Sequence, residues 1–192
     1  KTLGIDSPIV FGQSFGRMVA MHYAARYPKS VSKLILSSTA AQFRLDETKK
    51  MMCKLGGDYA AEVAYQFFSK PSQAAYDTYG KVCLPLYSNP NAPAAGNFRD
   101  RAIERPEVAL HFFSYEMARM DMRSEIASIT CPTLVVGGTI DPVTPPICSQ
   151  VIADAIGKNA CLKLFEACGH GPHRDDPDGA EHVMRSFLSI NL

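Results

Sequence analysis

The chain has 192 residues with a formal net charge of +1, and 46% of its residues are hydrophobic. This size and apolar content predict a globular domain with a buried core. Charged residues make up 20% of the chain, and their near balance argues against disorder and against nucleic-acid binding. We find neither an apolar run long enough for a membrane span nor a signal-peptide pattern in residues 1–15. We therefore expect no membrane partner and a cytoplasmic location.

The cysteines and histidines show no metal-binding pattern. No CxxC pair occurs, and a chain this rich in aliphatic residues does not need disulfides, so we expect free thiols. His170 and His173 are a close pair, but no cysteine or carboxylate lies at zinc-site spacing from them. We therefore predict no metal site and no cofactor.

The first 38 residues predict a strand–helix–strand unit. Ser7–Phe11 (SPIVF) is wholly apolar apart from its first residue, and Val31–Ser38 (VSKLILSS) is a second apolar run. Residues 16–27 between them carry apolar side chains at helical spacing, and Pro28 ends that pattern. Such a unit places its two strands parallel with a right-handed crossover.

Strand patterns stop between residues 39 and 123 and then return. Within this helical insert, helical periodicity covers residues 45–56, 58–69, 71–83 and 106–119. After it we predict strands at Pro132–Gly137 and Cys161–Glu166 and helices over 145–156 and 177–190. The sequence therefore predicts an α/β core of residues 1–38 and 124–192, with the insert 39–123 between them.

A Gly12-x-Ser14-x-Gly16 pentapeptide lies where the first strand turns into the first helix. Such a turn forces the serine into a strained backbone conformation, and small residues at Gly12 and Gly16 avoid clashes. It also holds the Ser14 hydroxyl above the sheet edge, beside helix N-terminal N–H groups that can stabilise an oxyanion. The alternative interpretation is a glycine-rich structural turn.

A nucleophilic serine needs a base and an orienting acid. Asp141 and His170 each lie four residues beyond the end of a predicted strand, and the carboxyl ends of parallel strands meet at one sheet edge. The chain order Ser14, Asp141, His170 is the order that this type of serine turn uses. The alternative interpretation of Asp141 is a turn former before Pro142 without a catalytic role. His173 is the competing base, although the glycines around His170 favour His170.

Three stretches, GQSFG, CPTLVVGGTIDPVTPP and ACGHGPHRDDP, resemble loops of the α/β-hydrolase superfamily, in its proline iminopeptidase-like branch. The resemblance covers essentially the whole chain. It implies an α/β-hydrolase fold, with this chain as the C-terminal portion of the parallel sheet and residues 39–123 as a helical cap insert. It also implies Ser14 as nucleophile, Asp141 as acid, His170 as general base and the backbone N–H of Phe15 as an oxyanion donor.

The chain departs from this family at two places. Arg17 stands where the branch usually has a second glycine after the pentapeptide. The simplest interpretation is a solvated surface arginine, and the alternatives are contact with a substrate carboxylate or with an acid of the insert. Family members also carry further strands before the nucleophile strand, including the loop that supplies a second oxyanion donor.

These missing strands lead to two expectations. The outer edge of strand 8–11 would be apolar and unpaired, so we expect an N-terminal fragment, a partner chain or a second copy of the chain to cover it. Without the second oxyanion donor, turnover falls on the order of 10²–10³-fold. We therefore expect the isolated chain to have weak activity or none.

The predicted function is a serine hydrolase that cleaves an ester or amide of a small molecule or short peptide, releasing N-terminal proline from peptides. The alternatives are a small-molecule carboxylesterase or lactonase and an inactive fragment that only binds a ligand. Relatives of the iminopeptidase type hold the substrate amino group with carboxylates of the insert. The candidate substrate contacts are Gln13, Phe113, Tyr115 and Glu116, with Glu62, Glu104 and Glu107 as further carboxylates.

Overall fold

The computed structural model describes residues 4–92, 103 and 105–189. Four parallel strands form one sheet in the order β1-β2-β3-β4: β1 Ile9–Gln13, β2 Lys33–Ser37, β3 Thr133–Gly138 and β4 Ala160–Phe165. The helices are α1 Phe15–Arg26, α2 Leu45–Ser69, α3 Gln73–Val82, α4 Pro106–His111, α5 Arg123–Ile126, α6 Pro146–Ile156, α7 Pro172–Asp175 and α8 Pro177–Ser189. The predicted α/β class with a parallel sheet is confirmed.

The first strand begins and ends two residues later than the sequence pattern indicates. Ser7 has a positive φ of 48°, a conformation that cannot continue an extended strand. β1 therefore begins at Ile9 and runs to Gln13, directly before the pentapeptide serine. Val10 pairs with Leu34 of β2, and Leu34 in turn pairs with Thr133 of β3.

Side-chain alternation along the strands produces two apolar layers. Leu34 and Leu36 of β2 and Val135 of β3 pack against α1 and α6 on one face. Ile35 of β2 and its neighbours in β3 and β4 pack against Ala180 and other residues of α8 on the opposite face. Because both faces are covered by helices, the strands read as continuous apolar runs in the sequence.

The helical insert 39–123 has its own aromatic core around Phe67 and Phe68. The two predicted helices over 45–56 and 58–69 meet at Gly57, whose φ of 75° breaks the helical path of α2. The single helix predicted over 106–119 is wrong. After α4 the backbone widens into a π-helical turn over Phe112–Glu116 and then tightens into a 3₁₀ turn over Met117–Arg119.

All six cysteines lie within the described residues, and each is a free thiol. Cys83, Cys148 and Cys168 are buried. Burial raises their pKa values to about 11, 12 and 11 respectively. Within the described ranges, no helix combines the length and apolar character needed to cross a membrane.

Candidate active site

Ser14 lies at the turn between β1 and α1 with φ 50° and ψ −122°. The strained backbone that the pentapeptide predicts is therefore confirmed. A Cβ atom added at Gly12 would lie 2.9 Å from the Gly16 carbonyl oxygen, so only glycine fits at position 12. The prediction that position 16 also needs a small residue is wrong, because a Cβ atom added at Gly16 meets no described atom within 4 Å.

Thr39 supports the serine turn from the next strand–loop junction. It is buried, and its hydroxyl donates a hydrogen bond to the Ser14 carbonyl oxygen at 3.2 Å. Sequence reasoning missed Thr39 because its contact spans 25 positions and no local pattern marks it.

The structure brings Ser14, His170 and Asp141 together in one hydrogen-bonded series. His170 Nε2 lies 2.9 Å from Ser14 Oγ. On the other side of the ring, His170 Nδ1 lies 3.0 Å and 2.9 Å from the two carboxylate oxygens of Asp141. Asp141 is completely buried, and His170 is nearly so. This arrangement allows the imidazole to accept the serine proton while the carboxylate orients it.

The Asp141 carboxylate is held by its own turn. The backbone N–H groups of Val143 and Thr144 donate to Oδ1 at 3.0 and 2.8 Å, and the Thr144 hydroxyl donates to Oδ2 at 2.7 Å. Burial alone would raise the pKa of the Asp141 carboxyl. The charge of His170 and the hydrogen bonds from His170 and Thr144 outweigh burial and hold the pKa below its usual value. Asp141 is thus both a turn former and the hydrogen-bond partner of His170.

The loop that carries His170 is fastened to the insert. The His170 backbone N–H donates to the Tyr87 carbonyl oxygen at 2.6 Å, and a Cβ atom at Gly169 would lie 2.2 Å from that oxygen. Asp175 Oδ2 accepts hydrogen bonds from the backbone N–H groups of Gly169 and Asn89, at 2.6 and 2.9 Å. Sequence reasoning missed Tyr87 and Asn89, which act across long sequence separations, and Asp175, whose hydrogen bond from Asn89 spans 86 positions.

His173, the competing base, lies in α7 and has no hydrogen bond to Ser14. Its Nδ1 atom is buried without a hydrogen-bond partner. Burial lowers its pKa, and the charges of Arg174 and Arg17 lower it further.

The prediction that Arg17 is a solvated surface arginine is wrong. Its side chain is 0% exposed and lies across Gly12, where the missing Cβ leaves room for it. The guanidinium lies 5.9 Å from the centroid of the Phe11 ring. None of its three nitrogens has a hydrogen-bond partner among the described residues, so no acid of the described insert pairs with it. Burial lowers the pKa of Arg17 to about 8, although attraction to Asp141 opposes that shift.

An apolar cavity of about 880 Å³ opens beside Ser14 and His170. Its other lining residues come mainly from the insert and α1, and most are aromatic or aliphatic: Phe15, Met18, Ala40, Phe43, Phe67, Phe68, Tyr76, Asp77, Tyr79, Gly80, Lys81, Leu84, Tyr87, Arg105, Val108, Ala109, Phe112, Phe113, Met117, Val143 and Thr144. The Phe15 ring packs edge-on against Phe112 with 4.8 Å between centroids, which joins the serine turn to the insert. The backbone N–H of Phe15 is the first of α1 and has no partner within that helix.

Of the four expected substrate contacts, only one lines the cavity. Phe113 lines the cavity, whereas Tyr115 and Glu116 are exposed and are not among its lining residues. Gln13 also lies outside the lining, and its amide donates to the His170 carbonyl oxygen at 3.4 Å.

The other expected carboxylates also lie away from the cavity. Glu62 and Glu107 are exposed and do not line it, and Glu104 lies outside the described residues. Asp77 is the one carboxylate among the described lining residues, and sequence reasoning missed it. Among the described residues, no cluster of histidine, cysteine, aspartate or glutamate could hold a metal ion.

Comparisons with known proteins identify the family of this chain. The family model described as "Serine aminopeptidase, S33" matches residues 4–177. The proline iminopeptidase PfmaB of Pestalotiopsis fici is 30% identical over 94% of this chain and 66% of its own length. A pimeloyl-[acyl-carrier protein] methyl ester esterase of Neisseria meningitidis is 26% identical over 98% of this chain and 72% of its own.

An α/β-fold family hydrolase from Bacillus anthracis has a similar structure. Its TM-score is 0.67 at 19% identity, and the match covers 97% of this chain and 69% of the hydrolase. The chain thus spans about two thirds of the length of the relatives it matches. With the family model covering most of its length, this chain belongs to the S33 serine aminopeptidase family of α/β-hydrolases and is proline iminopeptidase-like.

Proposed function

We propose that Ser14, His170 and Asp141 are the catalytic triad of a serine hydrolase that cleaves carboxylic esters or amides. The observation that carries the proposal is the unbroken hydrogen-bonded series from Ser14 Oγ through both ring nitrogens of His170 to a buried carboxylate. The hydrolases among its relatives support the same reaction class. The chain spans about two thirds of the length of these relatives, so the hydrolase activity of the whole protein is itself proposed and not carried over from them.

In the proposed reaction, Ser14 Oγ attacks the substrate carbonyl carbon while His170 Nε2 takes the hydroxyl proton. The carbonyl electrons move onto oxygen, and the Phe15 N–H at the start of α1 stabilises that oxyanion. The intermediate then expels the alcohol or amine, which takes the proton from His170. Water attacks the resulting acyl-serine after His170 removes its proton, and Ser14 recovers a proton as the acid leaves.

Asp141 orients His170 and stabilises the imidazolium that forms during the reaction. It keeps the proton of the neutral ring on Nδ1, so that Nε2 faces Ser14 as a base. The hydrogen bonds from Thr144 and Val143 keep the carboxylate ionised and fixed in place. A fully buried carboxylate suits the orientation of His170 because these hydrogen bonds fix its position before the reaction begins.

The apolar cavity favours a substrate with a bulky apolar part. Ligand sites of 300–1,000 Å³ that are mainly apolar suit organic molecules of moderate size, and this cavity of about 880 Å³ lies within that range. We therefore propose an ester or amide of a bulky apolar acid or alcohol as the substrate.

Release of N-terminal proline is the second candidate activity. A free amino group on the substrate needs a carboxylate within the site, and Asp77, which lines the cavity, is the candidate for that role. The proline iminopeptidases among the relatives favour this candidate.

A fluorophosphonate probe tests the triad, because it reacts covalently with an activated serine. We expect an adduct on Ser14, located by peptide mass spectrometry, and none on the Ser14→Ala variant. Ser186→Ala, which removes an exposed hydroxyl on α8, is the matched control and should label normally. Absence of labelling together with intact ligand binding would instead support a non-catalytic binding protein.

Two substrates separate the candidate activities. An aryl ester of a bulky apolar acid should be hydrolysed faster than proline anilide if the apolar cavity selects the substrate. Faster hydrolysis of proline anilide, lost in Asp77→Asn, would support the aminopeptidase instead.

A further inference from the structure

Three charged side chains lie where the apolar cavity meets solvent. Asp77 and Lys81 lie one turn apart on α3, and Arg105 lies directly before α4. All three are exposed while lining the cavity. Ser14 and His170 also line it but are half-buried and buried respectively. The cavity therefore joins an uncharged apolar interior to a charged rim, which we define as Asp77, Lys81 and Arg105.

The charges of this rim do not cancel. Within the described part of the chain, the side chains of Lys81 and Arg105 take part in no hydrogen bond or ion pair. The Asp77 carboxylate already accepts a hydrogen bond from Gln73 Nε2 at 2.8 Å. The rim thus offers two unpaired cations against one carboxylate that has a partner.

We propose that the substrate carries an anionic group, a carboxylate or phosphate, at the end of its apolar part, and that Lys81 and Arg105 bind this group. The proposal rests on the proposed hydrolase function, since it names the substrate class of the same site. The apolar part fills the cavity while the scissile carbonyl lies at Ser14. Arg105 suits either anion because its guanidinium presents paired N–H donors, and Lys81 adds a second, compact positive charge to the lining of the same cavity.

Esters that differ only at their far end test the proposal. We would compare aryl esters of one alkyl chain length ending in a carboxylate, a phosphate, a methyl group or an ammonium group. Exposed charge pairs are individually weak, so two cations should raise kcat/KM for the anionic esters roughly 2- to 30-fold over the methyl ester. The higher kcat/KM of the anionic esters should result from a lower KM, and the difference from the methyl ester should become smaller at high salt. The ammonium ester should be the poorest substrate.

Variants of the rim make the test specific. Lys81→Gln combined with Arg105→Gln should remove the preference for anionic esters, so that the variant hydrolyses the anionic and methyl esters with equal kcat/KM. Lys54→Gln, an exposed lysine of α2 outside the cavity, is the matched control and should keep the preference. A carboxylate preference without a phosphate preference, or the reverse, identifies which anion the rim selects.

Two results would overturn the proposal. One is equal kcat/KM for all four esters, and the other is a preference for the ammonium ester that Asp77→Asn removes. If no ester is hydrolysed, fluorophosphonate labelling of Ser14 tests the proposed function separately, and binding replaces the rate as the readout for the rim. Calorimetry on Ser14→Ala with the matching ω-carboxylate and neutral alkyl amides then decides the rim proposal. Tighter binding of the carboxylate supports it, and equal binding contradicts it.

Discussion

Arg17 places a positive charge in the core with no hydrogen-bond partner among the described residues, and its guanidinium lies 5.9 Å from the centroid of the Phe11 ring. Burying an ion without a compensating partner destabilises the folded state. We expect Arg17→Met, which keeps a long flexible side chain without the charge, to raise the free energy of unfolding by at least about 1 kcal/mol at pH 7. Urea denaturation of the purified chain measures this difference. A less stable Arg17→Met variant would contradict this prediction.

The same residue predicts a pH dependence. The pKa of Arg17 is lowered to about 8 in the folded state, so above that pH the folded chain binds fewer protons than the unfolded chain. As the pH increases above about 8, the free energy of unfolding of the wild-type chain should therefore rise relative to that of Arg17→Met. The difference in free energy between the two proteins should narrow accordingly. Arg17→Lys retains the charge and is the control. It should not gain the stability of the methionine variant at pH 7.

Thr144 supports the proposed triad through its hydrogen bond to Asp141. Removing its hydroxyl in Thr144→Val deletes the 2.7 Å hydrogen bond to Asp141 Oδ2 and leaves a buried oxygen with one donor fewer. We expect kcat to fall roughly 10-fold, against about 10⁴-fold for Asp141→Asn. Steady-state kinetics on an aryl ester measures both variants. Thr144→Ser keeps the hydroxyl and should retain most activity, whereas equal losses in Thr144→Ser and Thr144→Val would contradict this role.

At the scale of elements, the sequence predicts what local patterns encode. The four strands, the break at Gly57 and the strained turn at Ser14 all follow from apolar runs, glycine placement and spacing. The fastening of the histidine loop to the insert does not, because Tyr87 and Asn89 reach His170 and Asp175 only after the insert folds back onto the sheet. The burial of Arg17 also escapes prediction, because it depends on the space above Gly12 and not on any periodicity.

The contact between the insert and the histidine loop leads to a prediction at this scale. Asp175 Oδ2 bridges backbone N–H groups of Gly169 and Asn89, so Asp175→Ala should free the loop that holds His170. We expect roughly 10-fold slower fluorophosphonate labelling of Ser14 and faster amide hydrogen exchange over residues 167–171. Asp178→Ala, at an exposed position in the first turn of α8, is the control. Unchanged labelling and exchange in Asp175→Ala would show that the loop holds its position without this bridge.

At the scale of the whole molecule, β1 is an edge strand of the described sheet. Ile9 and Phe11 are each 51% exposed along it, and Val19 of α1 is 56% exposed. Apolar edge strands with free backbone groups pair with other chains. We propose that a further polypeptide segment covers the outer edge of β1. The N-terminal fragment, partner chain or second copy expected from the sequence remain the candidates.

An edge of this kind predicts self-association when the 192-residue chain is studied alone. Light scattering after size-exclusion chromatography should find oligomers, and the β1 amides should exchange slowly with solvent because a neighbouring strand pairs with them. Phe11→Lys should shift the chain toward monomer, since a charge at the edge opposes strand pairing. Ile147→Lys changes an exposed apolar residue of α6 that lies away from this edge, and it should leave association unchanged. A chain that stays monomeric with rapidly exchanging β1 amides would contradict the covered edge, because an apolar strand would then be stable in water without any partner.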